Sequence, residues 1–222
     1  MNRPEAKPKA PSAPPARRAS SKGVEARRRL LEESVRLIGE QGLAALSFRE
    51  MARRANVSHQ APYHHFTSRE GILAAIVLEG FVRLDAQLVS ARARHRAAPA
   101  GEILRQVMTA YMTFALENPV HFRVMFRPDI VSIGDYPDTR VHAMLAFQRL
   151  VDAVAECHPD ADRTDPRFLE VVNALWAGAH GVATLVLDGP VQLNSPGLAF
   201  QSFVNTAATL FSEAGALTKL IP

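Results

Sequence analysis

Apolar residues recur at intervals of three and four along most of the chain, the period of amphipathic helices. The first such segment begins at Gly23 and ends near Gly42. Its apolar stripe contains Leu30, Leu31, Val35, Leu37 and Ile38. From about Pro99 onward the same period runs through residues 101–118, 119–126, 139–157, 167–190 and 195–215. The pattern predicts an all-α protein, with a small helical head followed by a larger helical domain.

The head contains two short helices separated by a break at residues 55–58. Ser47 stands three positions before Glu50, the spacing of a capping box, and therefore predicts a helix start. We expect Ser58 to cap the second short helix, which would end near Phe66. A second capping box, Thr67 with Glu70, predicts the start of a long helix. Two short helices joined by about three residues indicate a helix-turn-helix.

The second short helix, in the stretch VSHQAPYHHF, carries three histidines. His59, His64 and His65 point in diverging directions at about 100° per residue, so one metal ion cannot easily gather them. We therefore predict no metal site here. The alternatives are a surface that contacts a polar partner and a polar surface helix that has no partner.

The two faces of this helix differ in chemistry. Its apolar positions are suited to contact with the rest of the head; they are Val57, Ala61 and Phe66. Its polar positions would point outward and offer donors and acceptors to base edges and phosphate oxygens; they are His59, Gln60, Tyr63 and His64. Pro62 would lie in the first turn, where a missing N–H costs little.

Charge is distributed unevenly along the chain. Residues 1–70 contain fourteen Lys and Arg against seven Asp and Glu, whereas the remainder contains twelve against fifteen. A basic front on a mildly acidic body is typical of a polyanion-binding module with a second module behind it. We expect a disordered basic arm at 1–22, the helix-turn-helix domain at 23–68 and a ligand-binding and dimerisation domain at 69–222.

Residues 45–76 resemble the DNA-binding core of the TetR family of bacterial transcriptional regulators. The matching positions are Ser47, Ala52, Ala55, Val57, Ser58, Tyr63, Phe66, Arg69 and Glu70. The chain departs from the family pattern at Asn56, where glycine is usual, but asparagine also tolerates a left-handed turn.

The resemblance implies a set of DNA contacts. Ser47 and its helix N-terminus would meet a phosphate, as would Arg69 at the start of the long helix. Tyr63 and His64 would contact phosphates, while His59 and Gln60 would enter the major groove. The complete set of expected DNA-binding residues is Ser47, Arg49, Ser58, His59, Gln60, Tyr63, His64 and Arg69.

The larger domain resembles a TetR-family C-terminal type through FALENPVHFRVMF (114–126) and WAGAHGVATLVLDG (176–189), the latter with a Trp-x(3)-His-Gly motif. Trp176 and His180 are four positions apart and so share a helix face. The expected cavity-lining residues are Phe114, Met125, Phe126, Met144, Phe147, Trp176 and His180. The alternative is that this aromatic and Met stripe is ordinary core and that His180 satisfies a buried hydrogen bond.

The last two helices are apolar and rich in small residues, which suggests a homodimer interface, with packing inside one chain as the alternative. The single Cys157 rules out an internal disulfide. No signal-peptide pattern and no apolar run of membrane-span length occur, so we expect a cytoplasmic protein without membrane contact.

Enzyme motifs are missing from the sequence: there is no G-x-S-x-G, P-loop, H-E-x-x-H or dinucleotide fingerprint. We expect neither an enzyme nor a cofactor. The expected function is a repressor that binds double-stranded DNA at a palindromic operator and is released by a small, mainly apolar effector. The alternative is an all-helical small-molecule carrier or interaction protein that binds no operator.

Overall fold

The structure is a computed structural model, and it describes residues 21–217. Within that range the chain forms ten α-helices and two short 3-10 turns, at Leu43–Ala45 and Ile133–Asp135. The helices are α1 (Ser21–Gln41), α2 (Phe48–Arg54), α3 (Ala61–His65), α4 (Arg69–Arg94), α5 (Ala100–Glu117), α6 (Pro119–Met125), α7 (Pro137–Cys157), α8 (Pro166–Leu187), α9 (Pro190–Asn194) and α10 (Phe200–Leu217). No strand occurs within residues 21–217, and the all-α prediction is confirmed.

The head consists of α1, α2 and α3 packed against one another and against the start of α4. Its core is formed by Leu30, Leu37, Met51 and Phe66, all of them buried. Helix α1 begins two residues before the predicted Gly23. The last two residues of the predicted arm, 21 and 22, therefore belong to α1. The rest of the predicted arm, residues 1–20, lies outside the described part of the chain.

One of the three predicted caps is confirmed. The Ser47 hydroxyl accepts a hydrogen bond from the backbone N–H of Glu50 at 3.3 Å. The prediction for Ser58 was wrong: α3 begins only at Ala61, and no side chain caps it. The prediction for Thr67 was wrong by one position, because the Ser68 hydroxyl accepts the N–H of Gly71 at 3.1 Å.

Helix α5 is the centre of the larger domain and packs against α4, α7, α8 and α10. It can occupy that position because its apolar residues cover most of its circumference, and Leu104, Met108, Met112 and Phe114 are all almost completely buried. Helix α4 runs from the head into this domain and connects the two.

Helix α6 lies where the head meets the larger domain, in contact with α1, α4 and α5. A Cβ placed at Gly39 of α1 would lie 3.3 Å from Val120 of α6, so the two helices approach closely. The His121 ring lies 3.2 Å from the Glu79 carboxylate, measured from Nε2 to the nearer oxygen, and this contact joins α6 to α4.

Helix α8 is, by length and composition alone, apolar enough to cross a membrane. A single helix of this kind is weak grounds for a span, because core helices of soluble proteins pass the same test. Its packing against α5, α7 and α10 accounts for its inward apolar side.

Candidate nucleic-acid interface and ligand cavities

The turn between α2 and α3 depends on Asn56. Its φ of 51° is the single positive value at a non-glycine residue within residues 21–217. Asparagine adopts this left-handed conformation more readily than most residues, which explains how it replaces the glycine of the family pattern. The chain then turns so that Val57 packs against the core and Ser58 is exposed.

The predicted polar face of α3 is exposed. His59, Gln60, Tyr63 and His64 are all open to solvent, and Pro62 is buried beneath them in the first turn. The sequence pattern predicts His59 and Gln60 inside the second short helix. In the structure both lie in the turn before α3. The polar face therefore begins at the N-terminal tip of α3.

Tyr63 is held by its ring and presents its polar end outward. The ring packs edge-on against Phe48 of α2 with centroids 4.6 Å apart, yet 55% of the residue remains exposed. The centroid of the His59 ring lies 6.0 Å from that of Tyr63. A tyrosine held in this way offers its hydroxyl to a partner without having to reorder its ring.

Arginines of α2 differ in how freely they can reach a partner. Arg53 and Arg54 both hold Glu50, and together they lower the pKa of its carboxyl to about 2. Arg54 also reaches Glu40 of α1 at 2.7 Å, which ties α2 to α1. Arg49 is exposed and makes no ion pair with any described residue.

Arg69 is exposed, and its guanidinium donates to the backbone carbonyl of Leu43 at 2.6 Å. This bond fixes the first turn of α4 to the 3-10 turn that precedes α2. His65, in contrast, is half-buried beside the head. Burial and then the charge of Arg27 lower the pKa of the His65 ring.

Two adjoining cavities lie in the larger domain. The first, of about 730 Å³, is lined mainly by α4, α5, α7 and α8 and is open to solvent beside Val141 and Met144. Four of the residues expected to line a cavity are in its wall: Phe126, Met144, Phe147 and Trp176. Arg140 is the one charged residue among the described residues that line it.

The second cavity, of about 710 Å³, lies between α8 and the segment 128–134. Met125 and His180, also expected to line a cavity, are in its wall. Phe126, Ile133 and Trp176 belong to both walls, so the two cavities share a partition. The prediction for Phe114 was wrong, because its side chain is completely buried in the core and lines neither cavity.

Tyr111 of α5 is a wall residue that the sequence analysis missed. Its hydroxyl lies 3.2 Å from the Trp176 indole nitrogen, which donates to it, and 2.9 Å from Nδ1 of His180. Burial raises the pKa of the Tyr111 hydroxyl and lowers that of the His180 ring, so both groups are held neutral. A signal was available, since a tyrosine within a buried apolar stripe usually has a hydrogen-bond partner.

Comparison with known proteins identifies both parts of the chain. Residues 30–76 match the model of the bacterial regulatory proteins of the tetR family, and residues 104–209 match the tetracyclin repressor-like C-terminal domain. A protein of unknown function from Rhodococcus sp. RHA1 is similar in structure, with a TM-score of 0.69 and 26% identity. The similarity covers 90% of this chain and 97% of that one.

Two further structures share the fold. The TetR family transcriptional regulator PfmR from Thermus thermophilus has a TM-score of 0.64 and 23% identity, over 83% of this chain and 97% of that one. A bacterial regulatory protein of the tetR family from Rhodococcus RHA1 has a TM-score of 0.65 and 19% identity, over 85% and 96%. With its head and its larger domain both matched, the chain belongs to the TetR family of bacterial transcriptional regulators.

Proposed function

We propose that this DNA-binding regulator is a cytoplasmic homodimeric repressor. In this proposal it occupies a palindromic operator and is released by a small, mainly apolar effector. The observation that carries the DNA part is the exposed polar face of α3 on a basic head, because side chains with both donors and acceptors stand where a groove would meet them. Membership of the family indicates a transcription regulator and not an enzyme.

We assign sequence reading to His59 and Gln60 and backbone contact to the residues around them. The tip of a recognition helix is the part that usually contacts base edges, and both residues lie there. The proposed phosphate contacts come from Ser47, Tyr63, His64 and Arg69, and Arg49 and Ser58 complete the surface. Support for Arg49 and Arg69 is that both are exposed on the basic head.

The proposed dimer forms through α8 and α10. Support comes from the outer side of each helix: Leu185 of α8 is 49% exposed and Leu210 of α10 is 60% exposed. Ala174 is exposed and lies on the same side of α8 as Leu185, three helical turns away, and would allow close approach of a second helix. Two heads would then meet successive major grooves about 34–36 Å apart.

The first cavity is the proposed effector site. Its wall is almost wholly apolar, and its volume is in the range of small-molecule sites. Effector binding would favour a head spacing that no longer fits the operator, so that release is a shift in population between two conformations. Helix α6 supports such a link, since Phe126 at its C-terminal end lines the first cavity while Val120 touches α1.

Duplex binding at several salt concentrations tests the proposal. The upstream region of the gene, immobilised or fluorescently labelled, should bind more tightly than random duplex, with a footprint that forms an inverted repeat. Apolar aromatic compounds should change the fluorescence of Trp176 and release that duplex. If the protein binds such compounds but no duplex in a salt-dependent way, it is instead a small-molecule carrier or interaction protein.

A further inference from the structure

The second cavity contains a single titratable group among the described residues that line it, His180 of α8. Two aromatic rings hold its imidazole: the centroid of Phe126 lies 4.8 Å away and that of Phe122 5.0 Å away. The ring cannot turn freely between them. Its orientation is therefore set by the hydrogen bond that Nδ1 makes.

The proton on His180 can be assigned from its neighbours. Trp176 can only donate, so its N–H occupies one lone pair of the Tyr111 oxygen. The Tyr111 hydroxyl is buried and needs an acceptor for its own proton, and His180 Nδ1 is the acceptor within reach, at 2.9 Å. Nδ1 of the neutral ring is then unprotonated, and the ring carries its proton on Nε2.

The Nε2–H group of His180 has no hydrogen-bond partner among residues 22–216. The Nε2 atom is not completely buried either, so a ligand atom can reach it. In the first cavity, by contrast, the Trp176 N–H and the Tyr111 hydroxyl are bonded to each other. The second cavity thus has two side-chain groups free to bond a ligand, the Nε2–H of His180 within an aromatic cluster and the hydroxyl of the exposed Ser132.

We propose that the second cavity is a binding subsite for the carbonyl oxygen of an uncharged, otherwise apolar molecule, which accepts a hydrogen bond from His180 Nε2–H. A carboxylate is a poor fit, because no Lys or Arg is among the described residues that line this cavity and a buried anion needs a partner. A group that only donates is also a poor fit, since it would leave the Nε2–H unpaired. Trp176 and Tyr111 act as positioning residues that fix which nitrogen donates.

This subsite refines the proposed effector binding, and it can be tested without DNA. The probes are matched pairs that differ in one carbonyl: 2-acetylnaphthalene with 2-ethylnaphthalene, and benzophenone with diphenylmethane. Calorimetry on the full chain should give tighter binding of each ketone by about fivefold, which corresponds to one hydrogen bond. Long-range ¹H–¹⁵N spectra of histidine-labelled protein should show the Nε2–H form of His180.

Two variants test separately the Nε2–H donor of His180 and the Tyr111 hydroxyl that fixes its tautomer. His180→Leu should lower the ratio of ketone affinity to hydrocarbon affinity to about one, while the hydrocarbon still binds. His95→Leu, outside both cavities, should leave this ratio as in the wild type. Tyr111→Phe keeps the imidazole but removes its partner, so the spectrum should show a mixture of both tautomers and the preference should fall.

Several results would overturn the subsite. The first is a wild-type protein that binds both probes of a pair equally, or binds neither. The second is a ketone preference that survives His180→Leu. The third is a proton found on Nδ1 of His180. Each of them leaves operator binding by α3 untouched. Conversely, a protein that fails to bind its upstream duplex can still show the ketone preference, so the two proposals fail separately.

Discussion

Gln60 and Tyr63 share one exposed surface, but their surroundings suit them to different tasks. Tyr63 is anchored by Phe48 and presents a single hydroxyl, which suits a phosphate oxygen of any sequence. Gln60 lies at the tip of α3 with a side chain that can both donate and accept, the requirement for reading adenine in the major groove. Such a division of labour can be measured residue by residue.

Gln60→Ala should relax the base preference at particular positions of the operator, by roughly 1–3 kcal/mol at each. Tyr63→Phe, which keeps the ring against Phe48, should instead weaken binding to operator and random duplex by the same factor. Fluorescence anisotropy on both duplexes measures the two effects. Equal losses on operator and random duplex for Gln60→Ala would exclude a base-reading role for that residue.

Arg69→Ala should lower the slope of log affinity against log salt by about one, since one phosphate contact is lost. Its bond to the Leu43 carbonyl holds the guanidinium in a fixed place beside the head, which favours a repeatable contact. The control is Arg96→Ala, an exposed arginine in the larger domain. A slope unchanged by Arg69→Ala, with folding intact, would remove Arg69 from the interface.

At the scale of elements, periodicity predicted the long helices, because an amphipathic stripe needs only its own residues to be recognised, but it missed the short helix α9. Helix starts were less certain: Thr67 and Ser68 both have side chains that can cap, and only the backbone path decides between them. The cavity walls depended on tertiary packing, which one sequence does not contain. Phe114 and Tyr111 lie on the same helix, yet the first is core and the second is wall.

Gly80→Ala should destabilise the protein by about 1–3 kcal/mol through overpacking between α4 and α6. A Cβ at this position would overlap the sulfur of Met125 and lie 3.3 Å from Cβ of His121. Gly71→Ala, on the same helix, meets nothing closer than 3.4 Å and should be neutral or slightly stabilising. Thermal unfolding of both variants is the measurement, and similar melting temperatures would contradict the close packing of α6.

The contact between Glu79 and His121 should make the α4–α6 junction sensitive to acid. The hydrogen bond from His121 is the main reason why the pKa of the Glu79 carboxyl lies below its ordinary 4.5 in the folded protein. The contribution of this contact to the stability of the folded protein is therefore complete above pH 4.5. It is lost as the pH falls through the lower pKa that Glu79 has in the folded state. Glu79→Gln should flatten the loss of stability in this window.

Unfolding by denaturant between about pH 6 and pH 3 measures that slope. Glu117→Gln, an exposed carboxylate on α5, is the control and should follow the wild type. If Glu79→Gln loses stability on acidification as steeply as the wild type, the junction is held by apolar contacts alone.

For the whole molecule, the head and the cavities of the larger domain are joined through only a few helices. Helix α4 enters both parts, and α6 touches the head on one side and the cavities on the other. A change in cavity occupancy can therefore reach α1 and α3 without unfolding either part. In the proposed repressor, such a movement alters operator affinity only if two heads are fixed relative to each other, which makes the proposed dimer interface decisive.

Leu210→Glu should therefore produce monomers that retain weak, salt-dependent duplex binding but lose operator preference. The exposed Leu210 would lie between two α8–α10 pairs, where a buried carboxylate without a partner is costly. Ala174→Arg on the outer side of α8 should act in the same way. Gly178 is unsuitable for this purpose, because a Cβ there would lie 3.0 Å from the Phe211 ring of the same chain.

Light scattering at micromolar concentration gives the mass of each variant, and anisotropy gives its operator affinity. Val89→Arg is the matched control, since Val89 is 43% exposed but lies on α4, away from the proposed interface. It should remain dimeric and bind the operator as the wild type does. A Leu210→Glu protein that stays dimeric, or a monomer that still prefers the operator, would show that the two heads are not held together by α8 and α10.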